Sequence, residues 1–269
     1  MKKMSKTILT LLLFGYAFLY VPIFFLIIGS FSSSEIPGVW THFSTKWFYA
    51  VLEDSDLIYA ILTSLKIAFL SATGSVILGI LAAIATTTPS EHKANKFLNK
   101  TIVMPIVVPE IIVGFSLLMF FMFVENIFGF PKERGVLTVT IGHIIATMAY
   151  VHMTVRSRLL SLDPSLEEAA LNLGARPFVV FFKIKLPLLS TAILSGWLLA
   201  FTLSLDDLVI ASFLSGPGAT TLPVLIFSSV RIGITPTINA FATMFIAVVA
   251  TCITTGYFIT NRKNKPQQR

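Results

Sequence analysis

Asp206 and Asp207 are adjacent carboxylates in an otherwise apolar stretch, with Leu198–Leu205 before them and Leu208–Leu214 after. A carboxylate at the centre of a membrane helix costs about 2.5–3.5 kcal/mol on insertion scales, and such groups line an aqueous path or pair with a cation. Two neighbours also repel one another. No Lys or Arg lies between Leu188 and Leu214 to neutralise them, whereas a di- or tri-ammonium substrate could. Ser204 offers a hydroxyl acceptor close by. A second reading stands beside this one. Counting from Leu188 at ~1.5 Å per residue sets Asp206 about 27 Å along the helix, where both acids would be wet at the external interface.

Glu110 repeats the theme. It follows Met104-Pro105-Ile106-Val107-Val108-Pro109, and the two prolines free backbone carbonyls and bend the helix. A broken helix beside a carboxylate is how transporters build sites at mid-membrane. The alternative is a plain kink with a snorkelling or paired Glu. Glu125, near a helix end, reads as interfacial. The segment 31–63 joins acids (Glu35, Glu53, Asp54, Asp56) to aromatics (Trp40, Phe43, Trp47, Phe48, Tyr49). It fits an interfacial aromatic belt, or else a surface that meets a delivered substrate or partner, with Trp47 as the pathway candidate.

The segment 156–187 carries a different kind of chemistry. Asp163 can cap a helix whose first residue is Pro164. Leu166, Ala169, Ala170 and Leu173 then form one narrow stripe at i, i+3, i+4 and i+7. Glu167 and Glu168 fall in the first turn, where negative charge is favoured, and Gly174 is placed to end the helix. Pro177 can open a second short helix before Ile184, Leu186 and Pro187 lead back to the apolar run. A stripe of small side chains allows close approach by another protein surface. The alternative, a helix lying on lipid headgroups, would favour Phe, Trp and Leu on that face.

Other chemistries lack their residues. There is no G-x4-G-K-[ST] phosphate loop and no H-E-x-x-H pair. His42, His92, His143 and His152 are dispersed and read as solvated or interfacial, because the last two are nine positions apart and so fall on different helix faces. Ser215-Gly216-Pro217-Gly218 has no base nearby for a serine hydrolase. Cys252 lies in an apolar run and reads as an inert thiol. No cofactor or metal is expected.

The elements that position these residues follow from hydropathy. Of the 269 residues 55% are hydrophobic and only 12% charged, against about 25% charged in a soluble domain. Six apolar runs, Ile8–Ser30, Ser64–Thr87, Thr101–Asn126, Val136–Val155, Leu188–Leu214 and Ala240–Thr260, each approach the ~20 residues needed to cross a bilayer as a helix. The first is longer than a signal-peptide core and has no small-x-small cleavage site, so it is expected to stay as a helix. Fifteen of the twenty Lys and Arg fall on one side: near the N-terminus, in 93–100, in 156–187 and after 261. Four, Lys46, Lys132, Arg134 and Arg231, fall on the other, and Lys66 stands at a helix entrance. The positive-inside rule then makes both termini cytoplasmic. The net charge of +7 is thereby topological, and nucleic-acid binding is set aside.

Glu168-Ala169-Ala170-x3-Gly174-x9-Ile184-x-Leu186-Pro187 resembles the EAA loop of ABC-importer permeases at every specified position. The resemblance implies an all-α integral membrane fold of six transmembrane helices, the type-I ABC-importer permease fold, with cytoplasmic coupling helices. It implies that Glu168, Ala169, Ala170, Gly174, Ile184, Leu186 and Pro187 dock on an ATP-binding subunit. Ser204–Ile210, Phe213, Gly216-Pro217, Thr221-Leu222-Pro223, Val230-Arg231, Gly233, Pro236 and Asn239-Ala240, with Ser44–Phe48, are further similar to permease subunits of polyamine (putrescine/spermidine) importers. Such importers pair two different permeases with two ATPase copies and a periplasmic binding protein in the inner membrane. The expected organisation is an N-terminal helix and external loop (1–60), a five-helix core (61–261) and a basic tail (262–269). Glu110, Ser204, Asp206, Asp207 and Trp47 are the pathway candidates. A permease for an iron chelate, sulfate or a sugar is the alternative, and a membrane-embedded enzyme a further one.

Overall fold

The computed structural model describes residues 6–36, 38–87, 93–233 and 235–263. Lys2, Lys3, His92, Lys265 and Arg269 lie outside the described residues. Among the described residues the regular elements are helices, with one isolated bridge between Ser32 and Phe43. The helices are α1 (Lys6–Ser30), α2 (Lys46–Glu53), α3 (Ser55–Thr87), α4 (Lys93–Val107), α5 (Glu110–Phe128), α6 (Val136–Leu160), α7 (Pro164–Asn172) and α8 (Pro177–Val180). After a π-helical turn at Phe181–Lys185 come α9 (Leu186–Leu188), α10 (Ser190–Asp206), α11 (Val209–Leu214), α12 (Leu222–Ile232) and α13 (Pro236–Lys263).

Five helices are long and apolar enough to cross a membrane, and the bent pair Pro177–Leu188 and Ser190–Asp206, at 67°, counts as a sixth span if taken together. Three of the expected runs are corrected. The second span starts at Ser55 rather than Ser64, because Asp54 Oδ1 accepts from the Leu57 N–H at 3.0 Å and caps the helix there. Lys66 therefore stands well inside α3, not at its entrance. The run Thr101–Asn126 is two helices. Pro109 has no N–H to give and disfavours a helical Val108, so α4 stops at Val107 and α5 begins at Glu110. The run Leu188–Leu214 is likewise split, with Asp207 in an extended conformation (φ −65°, ψ 121°) between α10 and α11.

The chain divides into two compact units. The first comprises Met1–Ile58 and Ile226–Arg269. Within it α13 packs against α1 and α2. The segment between α1 and α2 is organised by backbone bonds, Ser33 N–H to His42 carbonyl at 3.0 Å and Ser44 N–H to Phe31 carbonyl at 2.8 Å. Phe31 stacks on Phe43 there, and the Phe48 ring packs against it at a tilt of 39°.

The second unit is Tyr59–Leu225. Its centre is α6, which packs against α10, α4, α11 and α5. One buried cluster gathers Ile67, Phe121, Val139, Ile210, Ala211 and Leu214, and another Ala72, Ala83, Val151, Val155, Leu189 and Ala200. Small residues allow the close approach that replaces a hydrophobic driving force in lipid. A Cβ on Gly142 would run into Leu214 and Ile210 of the α11 region. Hydroxyls bind α3 to α6: Ser75 Oγ lies 2.7 Å from Thr147 Oγ1, and Ser71 donates to the Thr140 carbonyl at 3.2 Å.

Candidate substrate cavity and coupling motif

The second unit holds a cavity of about 240 Å³. Its polar lining is Glu110, His143, Thr147, Tyr150, Asp206 and Asp207. Ala146, Leu203, Leu208, Val209 and Ile210 supply the apolar wall. Three of the pathway candidates, Glu110, Asp206 and Asp207, thus meet at one cavity, although Glu110 lies almost a hundred positions away in the chain. Glu110 lies within electrostatic range of both aspartates.

Each acid owes its position to a helix end. Glu110 opens α5, where the helix dipole favours it. Asp206 closes α10, and there the dipole opposes a negative charge while the last carbonyls of the helix have no intrahelical donor. Carbonyl oxygens and a carboxylate at one helix end together make a place for a cation. Asp207 is differently occupied: its Oδ1 accepts from the Ala211 N–H at 2.9 Å, which steadies the start of α11. Among the described residues no side chain of opposite fixed charge pairs with any of the three.

Ser204 does not line the cavity. It is buried behind the acids, and its Oγ lies 2.6 Å from His143 Nδ1. His143 Nε2 stands 3.3 Å from Asp207 Oδ1, off the direction of a hydrogen bond. The row Ser204–His143–Asp207 has the connectivity of a hydrolase triad, but a hydroxyl sealed away from the cavity cannot attack a substrate there. Trp47 belongs to the first unit, where its Nε1 donates to the Ser32 carbonyl at 2.9 Å and the Lys46 ammonium sits 4.4 Å from its ring centroid.

The reading of the histidines as solvated or interfacial is corrected by α6. His143 and His152 are 1% and 0% exposed, because α6 is enclosed on several sides and so buries opposite faces at once. His152 Nε2 lies 3.0 Å from Asn99 Oδ1 of α4. His42 alone of the described histidines sits at the surface, 3.0 Å from Ser33 Oγ. The sequence signal for His143 was its position inside an apolar span among Thr138, Thr140 and Thr147; a titratable group there is a functional candidate by default.

The coupling motif folds as its residues dictate. Asp163 Oδ1 accepts from the Ser165 N–H at 2.9 Å and caps α7. That hydrogen bond, followed by a contribution from the Ser165 side chain, holds the Asp163 carboxyl below the ordinary carboxylate range. Gly174 takes φ +81°, and the Ala175 N–H reaches back to the Ala170 carbonyl at 3.1 Å, a left-handed helix stop. Leu166, Ala169 and Leu173 are exposed, Leu173 by 89%, and Ala170 is half-buried. Glu168 is exposed at the end of the first turn, where Glu167 is the acid that counts as lying within it. Ile184 lies in the π-helical turn, and Leu186 and Pro187 form α9 just before Leu189, which is fully buried. Lys185 Nζ lies 2.6 Å from Glu167 Oε2 and ties the two halves of the motif together, a pair the motif alone does not name.

Residues 75–265 match the family described as "Binding-protein-dependent transport system inner membrane component". The chain belongs to this family. It is therefore a multi-pass inner membrane component of a transport system, and not an enzyme. The putrescine transport system permease protein PotI of Escherichia coli (strain K12) is 46% identical over 97% of this chain and 93% of its own length. The spermidine/putrescine transport system permease protein PotC of the same strain is 36% identical over 93% and 92%. Two crystal structures of bacterial alginate ABC transporters share the fold. One, described as involved in import of that acidic polysaccharide, has TM-score 0.70 and 15% identity, covering 99% of this chain and 100% of the other. The second, in complex with a pentasaccharide-bound periplasmic protein, has TM-score 0.71 and 18% identity, covering 96% and 94%. The expected all-α ABC-importer permease fold is thus borne out.

Proposed function

We propose that this chain is a permease subunit of an ATP-driven polyamine importer, forming half of its translocation pore. The observation that carries this is the convergence of Glu110, Asp206 and Asp207 on one cavity, in a chain whose putrescine and spermidine/putrescine permease relatives match nearly end to end. Glu110 and Asp206 contact the ammonium groups, Asp207 adds charge while it caps α11, and Ser204 supports the site from behind. Trp47 meets substrate on the external side. The core 61–261 carries the pore function, with 1–60 and the tail 262–269 as accessory segments. Both termini face the cytoplasm, in keeping with the basic residues concentrated there.

The partners in this reading are two copies of an ATP-binding subunit, a second and different permease, and a periplasmic binding protein. Glu168, Ala169, Ala170, Gly174, Ile184, Leu186 and Pro187 form or support the surface that receives the ATP-binding subunit, and the exposed face of α7 supports this assignment. An acidic cargo such as sulfate or alginate would call for Arg or helix N-termini at the cavity, and this cavity is lined by carboxylates instead. Uptake of labelled putrescine, spermidine and sulfate in cells lacking their own polyamine importers, with the whole transporter expressed, tests the reading. Saturable uptake of either polyamine is expected; uptake of sulfate alone would overturn it.

A further inference from the structure

The groove between α4 and α6 holds a cation with no counter-charge. Asn99 and His152 meet across it. His152 Nε2 donates to Asn99 Oδ1 at 3.0 Å, which leaves the Asn99 Nδ2 group as a spare donor. Arg156 stands one turn further along α6, within electrostatic range of His152. Its Nε is sealed from solvent without a hydrogen-bond partner. Its Nη groups are not sealed, and among the described residues they make no hydrogen bond or ion pair either. A guanidinium drawn partly out of water with no anion opposite is costly, so an anion from outside the chain would stabilise it.

The neighbouring charges have the same sign. Glu110, which follows Asn99 in the chain, shares the cavity with His143 and Thr147, which precede His152. The course from α4 into α5 therefore runs opposite to α6. Lys96, one turn before Asn99, thus lies toward the same end of the groove as Arg156. Lys96 and Lys100 are exposed, and neither α4 nor α6 contains an acid. Lys96 and Arg156 both stand within about 6 Å of a helix end at the helical rise, the level at which a spanning helix meets lipid headgroups. Phe97, Leu98 and Met153 beside them are exposed and apolar.

We propose that this groove binds the phosphate of an anionic phospholipid, with Arg156 and Asn99 as hydrogen-bond donors and Lys96 and Lys100 as supporting charge. A guanidinium matches two phosphate oxygens at once, and basic pockets between membrane helices collect anionic headgroups. A free phosphate would meet the same donors, but Phe97, Leu98 and Met153 offer a flank for acyl chains that it does not use. A bound headgroup bridges α4 and α6 alongside the Asn99–His152 hydrogen bond. It does so on the α4 side of the Val108–Pro109 break, beyond which Glu110 begins α5. The site is separate from the cavity and independent of what the cavity carries.

The test is thermal stabilisation of the whole transporter, delipidated in a neutral detergent and titrated with a short-chain phosphatidylglycerol. Parallel titrations use a short-chain phosphatidylcholine and inorganic phosphate. Saturable stabilisation by phosphatidylglycerol is expected, with little from the other two at the same concentrations. Arg156→Gln should raise the half-saturating concentration about tenfold, the worth of a hydrogen bond to a charged group. Lys96→Gln should raise it about fivefold, as one basic residue near a headgroup does. Lys183→Gln, an exposed charge of the coupling segment, should leave it unchanged. Equal stabilisation by phosphatidylcholine overturns the proposal, because the chains alone would then suffice. Equal stabilisation by inorganic phosphate overturns the lipid as the source of the anion. An Arg156→Gln titration that matches wild type overturns the site, as does a Lys183→Gln shift as large as that of Arg156→Gln. Where Arg156→Gln fails to assemble, the exposed Lys96→Gln decides: a wild-type titration there overturns the site.

Discussion

Asp206→Asn keeps the shape of the side chain and removes one charge from the end of α10. A carboxylate and an ammonium about 4 Å apart attract by about 4 kcal/mol at an effective dielectric of 20. Asp206 is exposed, so screening and the lost hydration of the ammonium discount this by half or more. What remains, about 1.4–2 kcal/mol, corresponds to a rise in KM of roughly ten- to thirtyfold. Asp206 has no side-chain partner among the described residues and ends a helix whose dipole opposes it, so the substitution should not weaken the fold. Initial rates of putrescine uptake against concentration give KM, and co-purification of the complex reports assembly. A fully assembled variant with KM within twofold of wild type would refute the assignment of Asp206 as a cation ligand. Combining it with Glu110→Gln in a double-mutant cycle then measures whether one substrate bridges both acids.

Gly174→Leu places a branched side chain at φ +81°, a strain of about 1–2 kcal/mol, and should detach or uncouple the ATP-binding subunit; full co-purification with transport-coupled ATP hydrolysis would contradict this. Because the Asp163 carboxyl is depressed in the folded state, its cap is fully present above the ordinary carboxylate range and is lost as pH falls through the folded value. Asp163→Asn, which caps without a charge, should remove that acid sensitivity, read by hydrogen exchange at the Ser165 and Leu166 amides; equal acid sensitivity in both proteins argues against the cap. Gly142→Val would drive a side chain into Leu214 and Ile210, an overpacking worth about 1–3 kcal/mol. A lowered melting temperature of the detergent-solubilised complex is expected, and an unchanged one would show that α6 and α11 can move apart.

Much of this architecture is legible from local chemistry. Asp163, Pro164 and Gly174 act on their own helix, so the start and stop of α7 follow from their types alone. The apolar runs likewise locate the spans. What sequence reasoning missed is tertiary. The interruptions at Val108–Pro109 and at Asp207–Leu208 divide runs that hydropathy reads as continuous, since an averaged window does not register one extended residue. Asp54 moved the start of α3 by a cap that a window cannot weigh. His143 was passed over because its distance from His152 was measured along one helix face, while α6 is enclosed and has no outward face there. Its partners Ser204 and Asp207 come from a different helix, and no spacing rule connects them.

The bend of 67° before α10 has a mechanical meaning. The Glu167–Lys185 ion pair links α7 to the π-helical turn, a handle set at an angle to the α10 shaft. A handle in line with a shaft can only push or pull it, whereas an angled one also turns it. At its far end, about 25 Å away at the helical rise, α10 carries Asp206. In the proposed coupling role, a sideways load on Leu173 would reach that carboxylate as a change of aim, swinging it relative to Glu110 on a separate helix. The machine need not carry the acid across the membrane; rotating the shaft is enough to alter which way it points.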